Sequence, residues 1–368
     1  MSNPSSSAQP LEAIQTANWA GSIPVILTLA PTSLSSPTLP APIHLLLPRQ
    51  TFLHVGLSSA VERLHKFAPT TLSFVSGMIR KEPGPGSYDE SSATDEEQNR
   101  EGNQPLGTSS APSPTKSSDS HRRSDNLTKL DDWDRHYPVC WFEDEETQIA
   151  LRWHIFVGVL YDIIKRDSKL PWKIRLHFTG YPVSQILPME SGLVLTQVKN
   201  AFKNSLKQAL CLQHGNSKAA MSITKESHGR LWDAVSTNNF QLYHQVHANT
   251  MPKQLPKDMV MIPVRIYVNA QPPIQRACRA DESATLGSLL ADWLPHLFLA
   301  KNEAPVLLSS VPAESLQPTV PFVVQPAEAV VVWRVCGLSS LPLGTAMLEL
   351  WSQLCHADHF VYIVVITN

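Results

Sequence analysis

Residues 148–178 decide the fold of this chain, and they read QIALRWHIFVGVLYDIIKRDSKLPWKIRLHF. The first six residues and the last seven, 172–178, are predominantly apolar and predict strands. Between them, apolar residues recur at helical spacing from Phe156 to Ile164, and Pro171 ends the pattern because proline lacks the amide donor of a helix. The stretch therefore predicts a strand, a helix and a second strand in close succession.

More strands and a helix precede this stretch. Ser22–Leu29 and Ile43–Pro48 are apolar and predict two strands, and 52–68 has helical spacing. A further short strand is predicted at 138–142, before an acidic turn. Two strands followed by a helix that packs across the sheet is the β-grasp arrangement. We therefore predict a first ubiquitin-like domain over residues 22–190.

Residues 258–368 repeat this order of elements without detectable sequence identity to the first domain. The predicted elements are strands at 261–268, 274–279, 330–335 and 360–366, and helices that begin at Thr285 and span 343–354. Between the two domains, at 191–257, an apolar stripe with a step of four residues predicts a long helix that ends at Gly215, and further helices follow. The fold class is α+β, with two ubiquitin-like β-grasp domains flanking a helix-rich domain.

Three segments lie outside these predicted domains or interrupt them. Residues 1–21 predict a tail and a short helix. The first ubiquitin-like domain carries an insertion at about 82–130 that nearly lacks large apolar residues, so we expect it to be disordered. A Pro-rich excursion runs from 305 to 326 in the second.

Composition excludes several classes of protein. The formal net charge is −2, so no overall field attracts nucleic acid. The five cysteines are far apart and the 14 histidines lack ligand spacing, which predicts no disulfide framework and no metal site. The first 22 residues contain no Lys or Arg, and the apolar runs are too short to span a bilayer. We expect a cytoplasmic protein whose contact with membrane is peripheral.

Motifs of catalysis are missing from the sequence: it contains no GxGxxG, P-loop, HExxH or GxSxG pattern. A cysteine hydrolase could in principle use Cys140, one predicted hairpin away from His154, or Cys355 beside His356. The simpler interpretation is that these are core cysteines beside satisfied histidines. We therefore expect no catalytic residue, no cofactor and no enzyme activity.

Two basic features stand out. Lys199, Lys203 and Lys207 form an i, i+4, i+8 row at the edge of the apolar stripe. The row is either a solvated strip or a functional site. As a functional site it would hold an acceptor lysine or form an anion-binding surface, and spacing alone does not decide between these interpretations.

Arg49 follows a predicted buried strand, where it either lies at the surface or pairs with a carboxylate of a partner. The chain ends in VITN without the glycine tail of transferable modifiers, so it could receive a modifier but could not be one.

Several strings resemble the autophagy protein 5 family. They are LLLPR at 45–49, LRWHIFVGVLYDII at 151–164, LPWKIRLHFTGYP at 170–182, IPVRIY at 262–267, and PLGTAMLELWSQL with FVYIVVI at 342–366. The second and third are the most specific. Together the strings cover both predicted β-grasp domains, and the helical region matches more loosely.

The resemblance implies a scaffold subunit of a ligase-like complex that promotes joining of autophagy protein 8 to phosphatidylethanolamine as autophagosomes form. Autophagy protein 12 would be attached covalently through an isopeptide bond, and autophagy protein 16 would lay a helix in a groove between the domains. The conjugating enzyme and autophagy protein 8 would be indirect partners. The implied location is the cytoplasm, with recruitment to the phagophore membrane.

The resemblance also assigns residues. The family pattern of an aromatic residue followed five places later by the acceptor lysine falls on Phe202 and Lys207, with Lys203 as the second choice. The arginine of LLLPR faces the helical partner in the family, which implies that Arg49 binds that partner. The alternatives are a β-grasp adaptor of another signalling assembly, without isopeptide modification, and the cysteine hydrolase.

Overall fold

The computed structural model describes residues 9–35, 38–69, 134, 136–165, 169–247, 260–298, 322–323, 330–339 and 341–367. The described residues up to 69 and from 137 onwards belong to one compact unit. The predicted insertion at about 82–130 lies outside the described residues, as does most of the excursion at 305–326.

The first sheet is mixed, and its described strands lie in the order β2-β1-β4-β3. β1 pairs antiparallel with β2 and parallel with β4, and β4 pairs antiparallel with β3. Alternate residues of β1 are buried, so one face of this sheet carries the core. The elements are β1 (Ser22–Leu29), β2 (Ile43–Pro48), β3 (Trp141–Asp144) and β4 (Trp172–His177), with helices α1 (Gln9–Ala20), α2 (Leu53–Gly56), α3 (Ser58–His65) and α4 (Val157–Ile164).

The predicted strand at 148–153 is wrong. Asp144 Oδ2 accepts hydrogen bonds from the Thr147 amide and hydroxyl, and the chain then turns through Gln148 at a positive φ of 56°. Beyond this turn, Ala150 forms a single bridge to the first sheet. The helix predicted at 52–68 is divided into α2 and α3 at Leu57.

The middle of the chain is helical, as predicted. Its helices within the described residues are α5 (Val194–His214), α6 (Lys218–Ser222), α7 (Lys225–Ser236) and α8 (Phe240–His247). α5 ends at Gly215, whose φ of 66° is the left-handed conformation that glycine adopts without strain. The Thr224 hydroxyl accepts the Ser227 amide at 3.1 Å and caps α7.

The second sheet has the order β6-β5-β10-β8-β7, with β9 paired to β8. Thr285 caps α9 in a capping box with Ser288, as the sequence predicted. The helix predicted at 343–354 begins later, at Met347, because Ala346 bridges to Thr285 in extended conformation. The elements of the second sheet and the helices beside it are β5 (Val260–Val268), β6 (Ile274–Ala280), α9 (Leu286–Trp293), β7 (Phe322–Val323), β8 (Val330–Val335), β9 (Leu338–Ser339), α10 (Met347–Leu354) and β10 (Val361–Thr367).

β7 lies inside the Pro-rich excursion at 305–326. Phe322 and Val323 pair antiparallel with the start of β8 and extend the sheet at its edge. The limits predicted for the domains, at 22–190, 191–257 and 258–368, stay predictions.

β10 is covered on both faces, which explains its unbroken apolar sequence. Val361, Ile363 and Val365 pack into the core of the second domain. Tyr362 and Val364 point to the opposite side and pack with side chains of the first sheet and of the helices. One strand thus joins two cores, and the described ubiquitin-like and helical parts form a continuous packed body.

Candidate functional site

Lys207 lies on α5 with its side chain exposed to solvent. The apolar stripe of the same helix, including Phe202 and Leu206, is fully buried. Lys203, one turn earlier, is half-buried. An acceptor amine must approach a trigonal carbonyl carbon, so exposure favours Lys207 over Lys203, although the choice between them stays a prediction.

Three lysines around this position act electrostatically on Lys203. Burial lowers the pKa of Lys203, and the positive charges of Lys199, Lys207 and Lys225 lower it further. The pKa of His228 is also lowered by burial and then by Lys203 and Lys207. The charges that act on Lys203 and His228 belong to the lysine row of α5 and the start of α7, which together form one basic surface.

The opposite side of α5 is fixed to the second sheet by Arg265 of β5. Arg265 Nη1 donates to Ser205 Oγ at 2.7 Å, and Nη2 donates to Gln208 Oε1 at 2.9 Å. These two residues flank Lys207 in sequence. The same guanidinium donates to the Tyr362 hydroxyl at 2.8 Å and stacks on a phenylalanine ring. The helix that carries Lys207 is therefore fixed by its buried apolar stripe on one side and by Arg265 on the other.

Asp358 completes this network from a fully buried position. Its carboxylate accepts hydrogen bonds from the hydroxyls of Ser205 and Tyr362 and lies 3.6 Å from Arg265 Nη1. Burial raises the pKa of Asp358, and Arg265 opposes that shift. Sequence reasoning missed both residues. The available signals were an arginine inside the apolar string MIPVRIYV and an aspartate in the segment CHADHF, between the predicted last helix and the apolar last strand.

Arg49 lies at the junction of the two ubiquitin-like domains. Its Nη2 donates to the Gly158 carbonyl at 3.1 Å and pairs with Asp162 Oδ2 at 2.5 Å. The side chain is 15% exposed. A Cβ atom at Gly337, in the turn after β8, would lie 2.5 Å from the same nitrogen. The guanidinium thus contacts α4 of the first domain and a turn of the second, and its contact with a partner stays a prediction.

A second arginine fixes the same helix. Arg334 of β8 is buried, and its Nη1 donates to the carbonyls of Asp162 at 3.0 Å and Lys165 at 2.7 Å. A cation at a helix C-terminus satisfies the last carbonyl groups and the negative end of the helix dipole. Arg49 and Arg334 together connect α4 to the second domain.

The two cysteines considered for hydrolysis lie in the core. Cys140 is buried beneath Tyr137, and burial raises the pKa of its thiol. Cys355 Sγ lies 3.7 Å from His247 Nε2, but burial raises the thiol pKa to about 12 and holds the pKa of that imidazole well below its usual range. Both groups therefore stay neutral near pH 7, whereas a nucleophilic cysteine requires a stabilised thiolate.

We expect native Cys140 and Cys355 to react with a thiol reagent only as the protein unfolds, since both are buried. Half-buried Cys211 should react first. The measurement is mass spectrometry of labelled peptides against time, in native buffer and in urea. Rapid native labelling of Cys355 would restore the hydrolase alternative.

Comparison with known proteins identifies the family. Three family models match: the UblA domain of autophagy protein ATG5 at 122–178, its alpha-helical bundle region at 195–253 and its UblB domain at 261–365. The chain belongs to the autophagy protein 5 family. Autophagy protein 5 of Debaryomyces hansenii is 25% identical over 62% of this chain and 75% of its own length. Autophagy protein 5 of Scheffersomyces stipitis is 27% identical over 61% and 76%.

A plant relative matches a shorter part more closely. Autophagy protein 5 of Oryza sativa subsp. japonica is 39% identical over 108 residues, which are 29% of this chain and 27% of the relative. The crystal structure of Kluyveromyces marxianus Atg5 superposes with a TM-score of 0.59 at 17% identity, over 96% of this chain and 99% of that one. The predicted fold class is confirmed, and the autophagy protein 5 chain described here acts in autophagy through partnership in an autophagy complex.

The described part of the chain contains neither a candidate metal cluster nor a helix that could cross a membrane. Within it, no group of three or more His, Cys, Asp and Glu side chains could hold a metal ion. Its helices also lack the combined length and apolar character that crossing a bilayer requires.

Proposed function

We propose that this autophagy protein 5 chain is a non-catalytic scaffold. Together with autophagy proteins 12 and 16, it would form the ligase-like complex that promotes conjugation of autophagy protein 8 to phosphatidylethanolamine. Lys207 is the isopeptide acceptor for autophagy protein 12. The chain works in the cytoplasm and is recruited to the phagophore membrane through peripheral contact.

The exposed amine of Lys207, on a helix held from two sides, carries this proposal. α5 packs its apolar stripe into the core and is bonded to the second sheet through Arg265. The helix therefore presents the Lys207 side chain at a fixed place on the surface, and a fixed nucleophile shortens the search for a reactive geometry. In the reaction, the amine attacks a thioester carbonyl, the C–S bond breaks and the C–N bond forms. The sulfur leaves as a thiol with one amine proton.

A scaffold role also fits the buried thiols. Thioester chemistry needs an accessible cysteine of low pKa, and Cys140 and Cys355 have raised pKa values. We infer that the reacting cysteine belongs to a separate conjugating enzyme. The helical partner would lie along the junction of the ubiquitin-like domains, where Arg49 bridges α4 and the turn at Gly337.

Lys207→Arg is expected to abolish a covalent mass increase that resists reducing agent when the activating enzyme, the conjugating enzyme and autophagy protein 12 are supplied. Arginine keeps the charge and removes the nucleophilic amine. Lys203→Arg is the matched control and should be modified like wild type. The products are followed by gel shift and by mass spectrometry of the branched peptide.

Other results would reassign the function. Loss of modification in Lys203→Arg alone would move the acceptor to Lys203. A wild-type chain that takes no modifier at any lysine would favour a β-grasp adaptor without isopeptide attachment.

A further inference from the structure

A basic cluster surrounds the acceptor position. Lys199, Lys203 and Lys207 succeed one another on one side of α5, and Lys225 joins them from the first turn of α7. None of these four side chains forms an ion pair within 4 Å with a carboxylate of the described residues. The cluster is a local feature, since the whole chain has a net charge of −2.

The positive charges of the cluster act on Lys203. Burial and then the charges of Lys199, Lys207 and Lys225 lower the pKa of Lys203. Like charges at i, i+4 spacing destabilise a helix. Burial raises the pKa of the nearby Asp233, and the positive charge of Lys199 opposes that shift. The two side chains nevertheless lie too far apart to form an ion pair. The arrangement therefore disfavours the folded chain by itself, and a negatively charged surface of another molecule would relieve it.

The geometry of the transfer reaction indicates which molecule supplies this negatively charged surface. Four residues of an α-helix span about 6 Å at 1.5 Å per residue, so the neighbouring lysines lie within about two turns of the acceptor. An attacking amine must come within about 3–3.5 Å of the thioester carbon. An enzyme that delivers its thioester to Lys207 must therefore cover the flanking lysines with its own surface.

We propose that Lys199, Lys203 and Lys225 form a docking surface for an acidic face of the thioester-charged conjugating enzyme that transfers the modifier to Lys207. This inference rests on the proposed function and deepens it. The three lysines are positioning residues, since they steer and orient the enzyme while Lys207 reacts. Electrostatic steering acts on encounter, so it affects KM and leaves kcat nearly unchanged.

The test compares a double variant, Lys199→Gln with Lys225→Gln, with wild type in the full-length chain. Purified activating enzyme, conjugating enzyme and modifier are supplied, and initial rates of attachment are measured at several enzyme concentrations. We expect kcat/KM to fall by about tenfold at about 50 mM salt, mainly through KM, and the difference to disappear near 500 mM salt. Lys218→Gln removes one exposed lysine of α6, outside the cluster, and is the matched control; it should behave like wild type.

Three results would overturn the inference. If wild type is modified at Lys207 and the double variant matches it at low salt, the docking surface is refuted while the proposed function stands. If the double variant loses binding to anionic phosphatidylserine vesicles but not the modification rate, the cluster serves a membrane. If wild type accepts no modifier, the proposed function fails first, and this inference fails with it.

Discussion

Arg49→Glu is expected to lower the free energy of unfolding by roughly 3–5 kcal/mol and to abolish retention of the helical partner. The Arg49 guanidinium pairs with Asp162 at 2.5 Å, and that carboxylate is 4% exposed. Glutamate would place a second negative charge beside it and would also remove the contact with the Gly158 carbonyl. Urea denaturation gives the stability, and a pull-down with the N-terminal helix of autophagy protein 16 gives the binding.

Conservative variants separate the two roles of Arg49. Arg49→Met, Asp162→Asn and the double variant form a mutant cycle at nearly constant volume. If the pair holds the domain junction, we expect a coupling energy of about 0.5–3 kcal/mol, and Asp162→Asn should weaken partner binding indirectly. If Arg49 acts on the partner alone, Asp162→Asn keeps both stability and binding. An Arg49→Glu chain as stable as wild type would contradict the prediction.

Local patterns in the sequence predicted the order of elements well. The strands β1 and β2 have the predicted limits, and Gly215 ends α5, because alternation and left-handed caps depend on near neighbours in the chain. The strand predicted at 148–153 was wrong because the burial of this stretch depends on tertiary packing and not on near neighbours in the chain. Leu151 and Trp153 are buried through packing and not through pairing in a sheet, and the apolar pattern does not distinguish these cases.

The candidate site was predictable only where it depends on one helix. The apolar stripe of α5 implied that Lys207 lies near the solvent, and the side chain is exposed. The partners of Arg49 and Arg265 could not be predicted, because Asp162 and Ser205 are distant from them in sequence. Such pairs arise from tertiary packing, which a single sequence does not specify.

Three histidines form a wholly buried cluster: His247, His356 and His359. Residues 355–360, CHADHF, are all buried between the helical region and the first domain. His356 packs against Phe156, with ring centroids 5.0 Å apart, and His359 packs against His247 at 4.8 Å. These imidazoles lie where the helical region packs against the first domain. Their protonation would therefore destabilise this junction as a whole.

Burial lowers all three pKa values. The pKa of His356 falls to about 3, with a further contribution from Arg49, and that of His359 falls to about 4, with a contribution from His214. The pKa of His247 lies well below its usual value, through burial and then His359 and His244. Above the unfolded value of 6.5, both states are neutral and the stability is complete. As the pH falls from 6.5 towards 4, the unfolded chain binds protons that the folded chain excludes, so stability decreases.

Acidification is therefore expected to destabilise this protein steeply. Each imidazole contributes a slope of about 1.4 kcal/mol per pH unit, so the three together give about 4 kcal/mol per pH unit. The measurement is the urea midpoint between about pH 5 and pH 7.5.

Single substitutions test whether this cluster is the source of the slope. His356→Gln and His359→Asn should each reduce it by about 1.4 kcal/mol per pH unit, and asparagine suits position 359 because its φ of 68° lies in the left-handed region. His44→Gln, at an exposed position of β2, is the control and should keep the full slope. A slope unchanged in both cluster variants would place the acid sensitivity elsewhere. Because Asp358 lies between these histidines and bonds to Ser205, acid that opens the cluster should also release α5, and attachment at Lys207 should be lost over the same pH range.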